Sequence, residues 1–192
     1  MSEGDRQKWD ARHGTRGPEA TAPSAFVVSL SDALPTRGRA LDVAGGSGRN
    51  ALWLARRGLA VTVVDVSQVG LELARAAAGA AGVDLQLVAA DLDIEPLPSG
   101  PFDVIVCVDY LRRELFAAFA AALVPGGLLT FQQATRSNLQ RHAHPSARFL
   151  LDDAELPSLL RGLSLEIIRH EEGWLGALGA ERHEARLLAR KV

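Results

Sequence analysis

Three aspartates and one glycine turn are the residues whose types and spacing could do chemistry. Asp42 stands at the end of the short run Ala40–Val43, Asp65 ends the apolar run that begins at Ala60, and Asp91 follows the run Leu85–Ala89. Behind Asp42 come Gly45, Gly46 and Gly48 within four positions. A turn of that kind lets a ligand lie against bare main chain, with the N–H groups of a following helix behind it. Carboxylates at successive strand ends accept hydrogen bonds from ribose hydroxyls or an exocyclic amine. The pattern fits holding a nucleoside-type cofactor better than acid–base hydrolysis. No Ser-His-Asp set or paired carboxylates are visible in the sequence. His142 and His144 have no carboxylate or thiol beside them, so no metal site is expected.

The elements that must position these groups follow from periodicity. Phe26, Val27, Leu30 and Leu34 recur at helical spacing, predicting a helix over 25–34. Ala40–Val43 is the first strand. A helix starts near Arg49 and closes at Gly58. The continuous apolar run 60–64 suits a buried parallel strand. Ser67 can cap a helix that closes at Gly79 or Gly82. Strands follow at 85–89 and 103–108, then an amphipathic helix with Leu115, Phe119 and Leu123 on one face. Pro125-Gly126-Gly127 turns the chain into a strand at 128–132. Residues 134–148 read as irregular. Asp152 and Glu155 read as a helix start, with Pro157 tolerable in its first turn. Strands at 163–169 and 183–189 lack a helix between them and should pair antiparallel. Strand–helix alternation closed by a strand pair predicts an α/β three-layer sandwich: a Rossmann-like, mostly parallel seven-stranded sheet with a C-terminal antiparallel strand. Ligands in such sheets bind at the C-terminal strand ends.

Two cofactor classes compete for that site. Gly46-x-Gly48-x-x-Ala51 matches the dinucleotide fingerprint, with Asp65 on a ribose. Asp42 points the other way, since a carboxylate beside the turn repels a pyrophosphate and favours a cationic ligand. S-adenosylmethionine has no phosphate and carries a sulfonium and an ammonium. Asp91 would then accept from the adenine amino group.

Taken together, the motifs resemble those of class I S-adenosylmethionine-dependent methyltransferases along the whole chain. The carriers are Asp42-Val-Ala-Gly45-Gly46-Ser-Gly48, Val63-Val64-Asp65-Val66-Ser67, Ala90-Asp91-Leu92, Phe102 to Val106, and Leu123-Val124-Pro125-Gly126-Gly127, in family order. Within that family the chain is similar to small tellurite-resistance and thiopurine-type enzymes. That likeness rests on Trp9-Asp10-Ala-Arg12-His13, on Gly48 to Leu54, and on Tyr110-Leu111-Arg112-Arg113. Ala44 stands where the family turn usually has Cys or Gly, and Arg112 where it often has His. The resemblance implies cofactor contacts from Trp9, Arg12, Asp42, Ala44, Gly45, Gly46, Gly48, Asn50, Asp65, Val66, Asp91, Leu92 and Cys107. It places Tyr110 and Arg112 on the catalytic side. Read from the residues alone, Cys107 is a small core residue of an apolar strand, and Trp53 and Trp174 are packing residues.

The leader 1–24 is polar, with Gly14, Gly17, Pro18 and Pro23 expected to break any long helix. Trp9 within it wants a surface to cover, and the leader reads as a lid over a domain spanning 25–192. Trp9 would lie near the methionine chain and Arg12 would pair with its carboxylate. The second wall of the cleft is expected from Asp109, Tyr110, Arg112 and the arginines of 136–148. With 192 residues, 47% hydrophobic, 23% charged and a net charge of −2, the composition is that of one globular domain without a nucleic-acid footprint. No run is long enough to span a membrane, Cys107 is the only cysteine, and a cytoplasmic location is expected. The expected activity is methyl transfer to a small molecule, a thiol or chalcogen oxyanion. A non-catalytic S-adenosylmethionine-binding module and a nicotinamide-dependent oxidoreductase remain open as alternatives. The sequence leaves the oligomeric state open.

Overall fold

The computed structural model describes residues 3–16 and 22–192. Seven strands form one sheet in the order β3-β2-β1-β4-β5-β7-β6. β1 (Arg39–Val43), β2 (Ala60–Asp65), β3 (Leu85–Ala89), β4 (Phe102–Val108) and β5 (Leu123–Ala134) run parallel. β7 (Arg182–Lys191) lies antiparallel between β5 and β6 (Leu165–Leu175). The sheet order reverses beside β1, and the carboxyl ends of β1, β2 and β4 open there into a crevice.

Alternation along the strands divides the core in two. Leu41, Ile105, Phe131 and Leu187 face one side with Phe116 and Phe119. Val63, Val104, Val106 and Leu188 face the other with Phe26, Val27 and Leu54. Helices α3 (Arg49–Arg56) and α4 (Gln68–Ala81) follow β1 and β2, and α5 (Leu115–Ala122) follows β4. Ser67 caps α4 by accepting from the Gly70 N–H at 3.0 Å, as its position in the sequence requires.

Several elements differ from the sequence reading. The leader forms a 14-residue helix, α1 (Glu3–Arg16), which passes straight through Gly14. Its half-buried stripe is Arg6, Trp9, Asp10 and His13, spaced as one helical face but mostly polar, so no apolar period announces it. The breaks expected at Gly17 and Pro18 lie outside the described residues. Helix α2 stops at Ser29 (Ala25–Ser29) rather than Leu34. Beyond it the chain turns, keeping Leu30 and Leu34 buried, while the Arg57 guanidinium donates to the Ser31 carbonyl at 2.7 Å. Pro125-Gly126-Gly127 forms a bulge within β5: Phe102 pairs with Leu123 and Val104 with Leu128. The expected helix after Asp152 is a single 3-10 turn, Leu156–Leu160, with Pro157 in its first turn. Only half of the capping box forms there. The Asp152 N–H donates to Glu155 at 2.8 Å, and Arg113 grips the same carboxylate.

Candidate functional site

The cleft over the strand ends has a volume of about 740 Å³, within the range of small-molecule sites. Its floor is the glycine turn. Gly45 has no room for a side chain, because a Cβ there would lie 2.7 Å from Val63 Cγ1 and 2.8 Å from Asp42 Oδ2. Ala44 holds a left-handed conformation, φ 52°, which explains why glycine is acceptable to a turn of this shape.

Asp42 lies under this turn and does not line the cleft. Its Oδ2 accepts from the Ala51 N–H at 3.1 Å, in the first turn of α3, and its Oδ1 is buried without a partner. Burial pushes its pKa up to about 7; the Ala51 N–H and the Arg49 charge oppose the shift, and the nearby Asp65 carboxylate adds to it. The residue expected beside a cationic ligand therefore acts across the turn rather than by contact.

Asp65 does line the cleft. Its Oδ2 accepts from the Gly46 N–H and its Oδ1 from the Ser67 N–H, both at 2.8 Å. Burial raises its pKa, against these hydrogen bonds and the influence of His13. Each oxygen keeps a second lone pair, so the carboxylate is fixed by the main chain and still able to accept from vicinal hydroxyls.

Helix α1 forms the roof. Asp10 Oδ1 accepts from the Ser67 hydroxyl at 2.6 Å and from the Val69 N–H at 3.3 Å. That docks the leader on the N-terminus of α4, where a carboxylate is favoured. His13 lies against the turn, its Cε1 2.8 Å from where a Gly46 Cβ would stand. Trp9 and Arg12 line the cleft beside it, the guanidinium over the indole at 5.0 Å.

Of the residues singled out in the sequence, Trp9, Arg12, Ala44, Gly45, Gly46, Asn50, Asp65, Val66 and Tyr110 come together in this cleft. Gly48, Asp91, Leu92, Cys107 and Arg112 are not among its lining residues. Gly48 is the N-cap of α3 with φ 78°. Asp91 folds into its own loop, accepting from the Asp93 N–H at 2.9 Å. Leu92 is 2% exposed in the core. Cys107 is buried, its thiol donating to the Tyr110 carbonyl at 3.4 Å and its pKa raised by burial. Arg112 pairs with Glu114 at 3.6 Å.

The expected second wall also needs correction. Arg136 pairs with Asp152, Arg141 covers Trp174 and Arg148 covers Phe149. None of the three arginines is among the residues that line the cleft. Asp109 and Tyr110 line the cleft where the sequence put them and the loop contributes His144, while Arg49, Gln133, Phe149 and Arg182 complete the wall. Arg182 and Gln133 carried no motif, and only the strand order brings β7 and β5 beside the turn. Tyr110 is 5% exposed, and its hydroxyl donates to Asp93 at 3.1 Å. Burial, then the Asp93 charge, pushes its pKa up, so it remains a phenol. Among the described residues no cluster of His, Cys, Asp and Glu could hold a metal ion.

Comparison with known proteins decides between the cofactor classes. The methyltransferase domain family matches residues 40–127, which contain the turn, Asp65 and β4. Over that stretch the chain is similar to a methyltransferase domain. It is 33% identical over 119 residues to a ubiquinone biosynthesis O-methyltransferase of Idiomarina loihiensis, covering 58% of this chain and 48% of that protein. The chain spans between about half and two thirds of the first two curated O-methyltransferases it matches. Among solved structures, a protein described under conversion of a disulfide bond into a thioacetal group during echinomycin biosynthesis has a TM-score of 0.75 at 21% identity, covering 97% of this chain and 92% of that one. TehB from Haemophilus influenzae has a TM-score of 0.71 at 19% identity, covering 96% and 67%. Methyltransferases of this fold are solved with S-adenosylmethionine or its demethylated product bound. S-adenosyl-L-methionine is the cofactor of this domain class, and the residues at the turn fit it. Asp65 has acceptor capacity left for ribose, and an unpartnered Asp42 oxygen lies under the turn, where it favours a cationic ligand over a pyrophosphate.

Proposed function

We propose that the protein transfers a methyl group from S-adenosylmethionine to a small-molecule acceptor, a thiol or chalcogen oxyanion of the kind that tellurite-resistance-type methyltransferases suggest. The observation that carries this reading is Asp65, pinned by the Gly46 and Ser67 N–H groups at the floor of a cleft that continues past Tyr110 to Arg182. The cofactor supplies an activated methyl on sulfonium. The chain's part is to align and to exclude water, and orientation of that kind can supply roughly 7–11 kcal/mol of barrier. Asp65 anchors the nucleoside end. Trp9, His13 and Arg12 close over it as a lid, which keeps water from the reacting carbon. Tyr110, a buried phenol fixed by Asp93, forms a stiff wall beside the acceptor. In the transfer the acceptor's lone pair forms the new bond to carbon. The carbon–sulfur pair returns to sulfur, leaving a neutral thioether. A thiol acceptor reacts as its thiolate, its proton having passed to solvent before transfer.

One observation favours a second reading. His144 lines the acceptor side of the cleft, and its carbonyl is gripped by the buried Asn138 at 2.9 Å. An imidazole there can take the proton of a hydroxyl acceptor, which suits O-methylation. A single buried thiol at Cys107 suits a cytoplasmic location. The test is methyl transfer from labelled cofactor to a panel of thiols, chalcogen oxyanions and phenols. Turnover of phenols alone gives the second reading. Cofactor binding without any turnover leaves a non-catalytic binding module. Tighter binding of NAD than of S-adenosylmethionine rejects both readings.

A further inference from the structure

Asp109 ends β4 in the left-handed region, φ 63°, and two arginines from distant parts of the chain take its two oxygens. Arg49 Nη2, in the first turn of α3, lies 3.1 Å from Oδ2. Arg182 Nη2, at the start of β7, lies 2.8 Å from Oδ1. All three line the cleft.

The pairing continues behind the wall. Arg182 Nη1 lies 3.8 Å from Glu184 Oε2. Glu184 Oε1 pairs with Arg186 at 2.6 Å, and Arg186 shares Glu171 with Arg169. Signs alternate along this run, which starts and ends on arginine: Arg49, Asp109, Arg182, Glu184, Arg186, Glu171, Arg169. Four guanidinium groups thus face three carboxylates, a surplus of one positive charge.

At the cleft end the charges balance, Arg49 and Arg182 against Asp109 and Glu184, and what is left over there is hydrogen-bonding capacity. Glu184 is 2% exposed and is fixed by Gln132 Nε2 at 2.9 Å, whose own oxygen accepts from Ser24 at 2.5 Å. That anchors Arg182 from behind. Arg49 and Arg182 keep about a third of their side chains exposed, 33% and 35%. Arg49 has Asp109 as its protein acceptor, and Arg182 has Asp109 and Glu184. A guanidinium carries five N–H donors, so most of the donors on both forks are unspent. Two forks held at fixed spacing by one carboxylate suit a planar anion.

We propose that the methyl acceptor carries a carboxylate or comparable oxyanion separate from the atom that is methylated, and that Arg49 and Arg182 hold this group. The proposal rests on the methyltransferase reading, and Asp109 acts as the positioning residue between the two forks. A neutral acceptor leaves the donors unmatched, and a cationic one is repelled.

The experiment has a kinetic and a binding arm. Initial rates with mercaptopropionate and mercaptopropionamide compare a charged acceptor with its neutral isostere. Calorimetry on the full chain saturated with S-adenosylhomocysteine compares methylthiopropionate with its amide and needs no turnover. The carboxylate should be preferred in both arms by about tenfold or more, the scale of charge-assisted hydrogen bonds. Arg49→Gln and Arg182→Gln should bring the ratio close to one, and Arg182→Lys should leave it intermediate. Equal handling of the charged and neutral forms overturns the proposal. So does loss of S-adenosylhomocysteine affinity in Arg182→Gln with the ratio intact, because the arginines would then serve the cofactor's own carboxylate. A preference in calorimetry with no turnover on any acceptor supports the anion site and rejects the methyltransferase reading.

Discussion

Asp10 reaches from the leader helix to Ser67 at 2.6 Å, so the residue that caps α4 is itself capped by α1. Helix α1 is thereby tied to the same segment that fixes Asp65 through the Ser67 N–H. Asp10→Ala should release α1 while leaving the sheet intact. Capping losses run about 0.5–2 kcal/mol, so cofactor affinity should fall by roughly 2- to 30-fold. Calorimetry with S-adenosylhomocysteine measures it, and unchanged affinity would mean that α1 is not a lid.

Asp65→Ala strands the Gly46 and Ser67 N–H groups as well as the ribose hydroxyls. Binding should weaken by about 1–3 kcal/mol. Asp65→Asn keeps one acceptor and should lose less. The two variants compared by titration separate the acceptor role from simple packing.

Gly45→Ala should destabilise the fold by about 1–3 kcal/mol, since the added methyl meets Val63 and the Asp42 carboxylate under 3 Å away. Chemical denaturation checks the loss. A wild-type midpoint would show that the turn can rise off Asp42.

Asp42 gives a pH dependence with a definite sign. Its folded pKa of about 7 lies above its ordinary value of 3.8. Its contribution to stability is therefore complete below about pH 4, declines as pH rises, and levels off above about pH 7. The decline is about 1.4 kcal/mol per pH unit at its steepest. Asp65 shifts the same way and adds to the slope. Asp42→Asn should remove its own share, so the variant gains on the wild type between about pH 4 and pH 7 in thermal denaturation. A cationic cofactor favours ionised Asp42, so binding to the wild type should tighten as pH rises through 7 and stay flatter in the variant. Parallel stability curves for the two proteins would show that Asp42 is not the titrating group.

The strands and the turn were legible because their signals are local. Apolar runs mark β1 to β4, Ser67 marks the start of α4, and Asp65 stands where its run ends. What escaped depends on distance along the chain. Helix α1 exists by docking a polar face on α4, so Asp10 and His13 carry no period of their own. Arg182 enters the cleft because β7 is inserted beside β5, a fact of strand order that periodicity does not encode. Asp42 was read from its position at the strand end as facing a ligand. The turn folds over it, and burial sets its behaviour.

The place of β7 between β5 and β6 has a kinetic consequence. β6 precedes β7 in the chain but touches the sheet only through it. Until β7 pairs with β5, the β6–β7 hairpin and the charges it carries from Arg182 to Arg169 stay apart from Asp109 and the cleft. Non-local pairing of this kind forms slowly. The cofactor floor, built from residues 42–70, can be complete while the acceptor wall is still missing. During refolding, recovery of cofactor binding should therefore precede recovery of transfer.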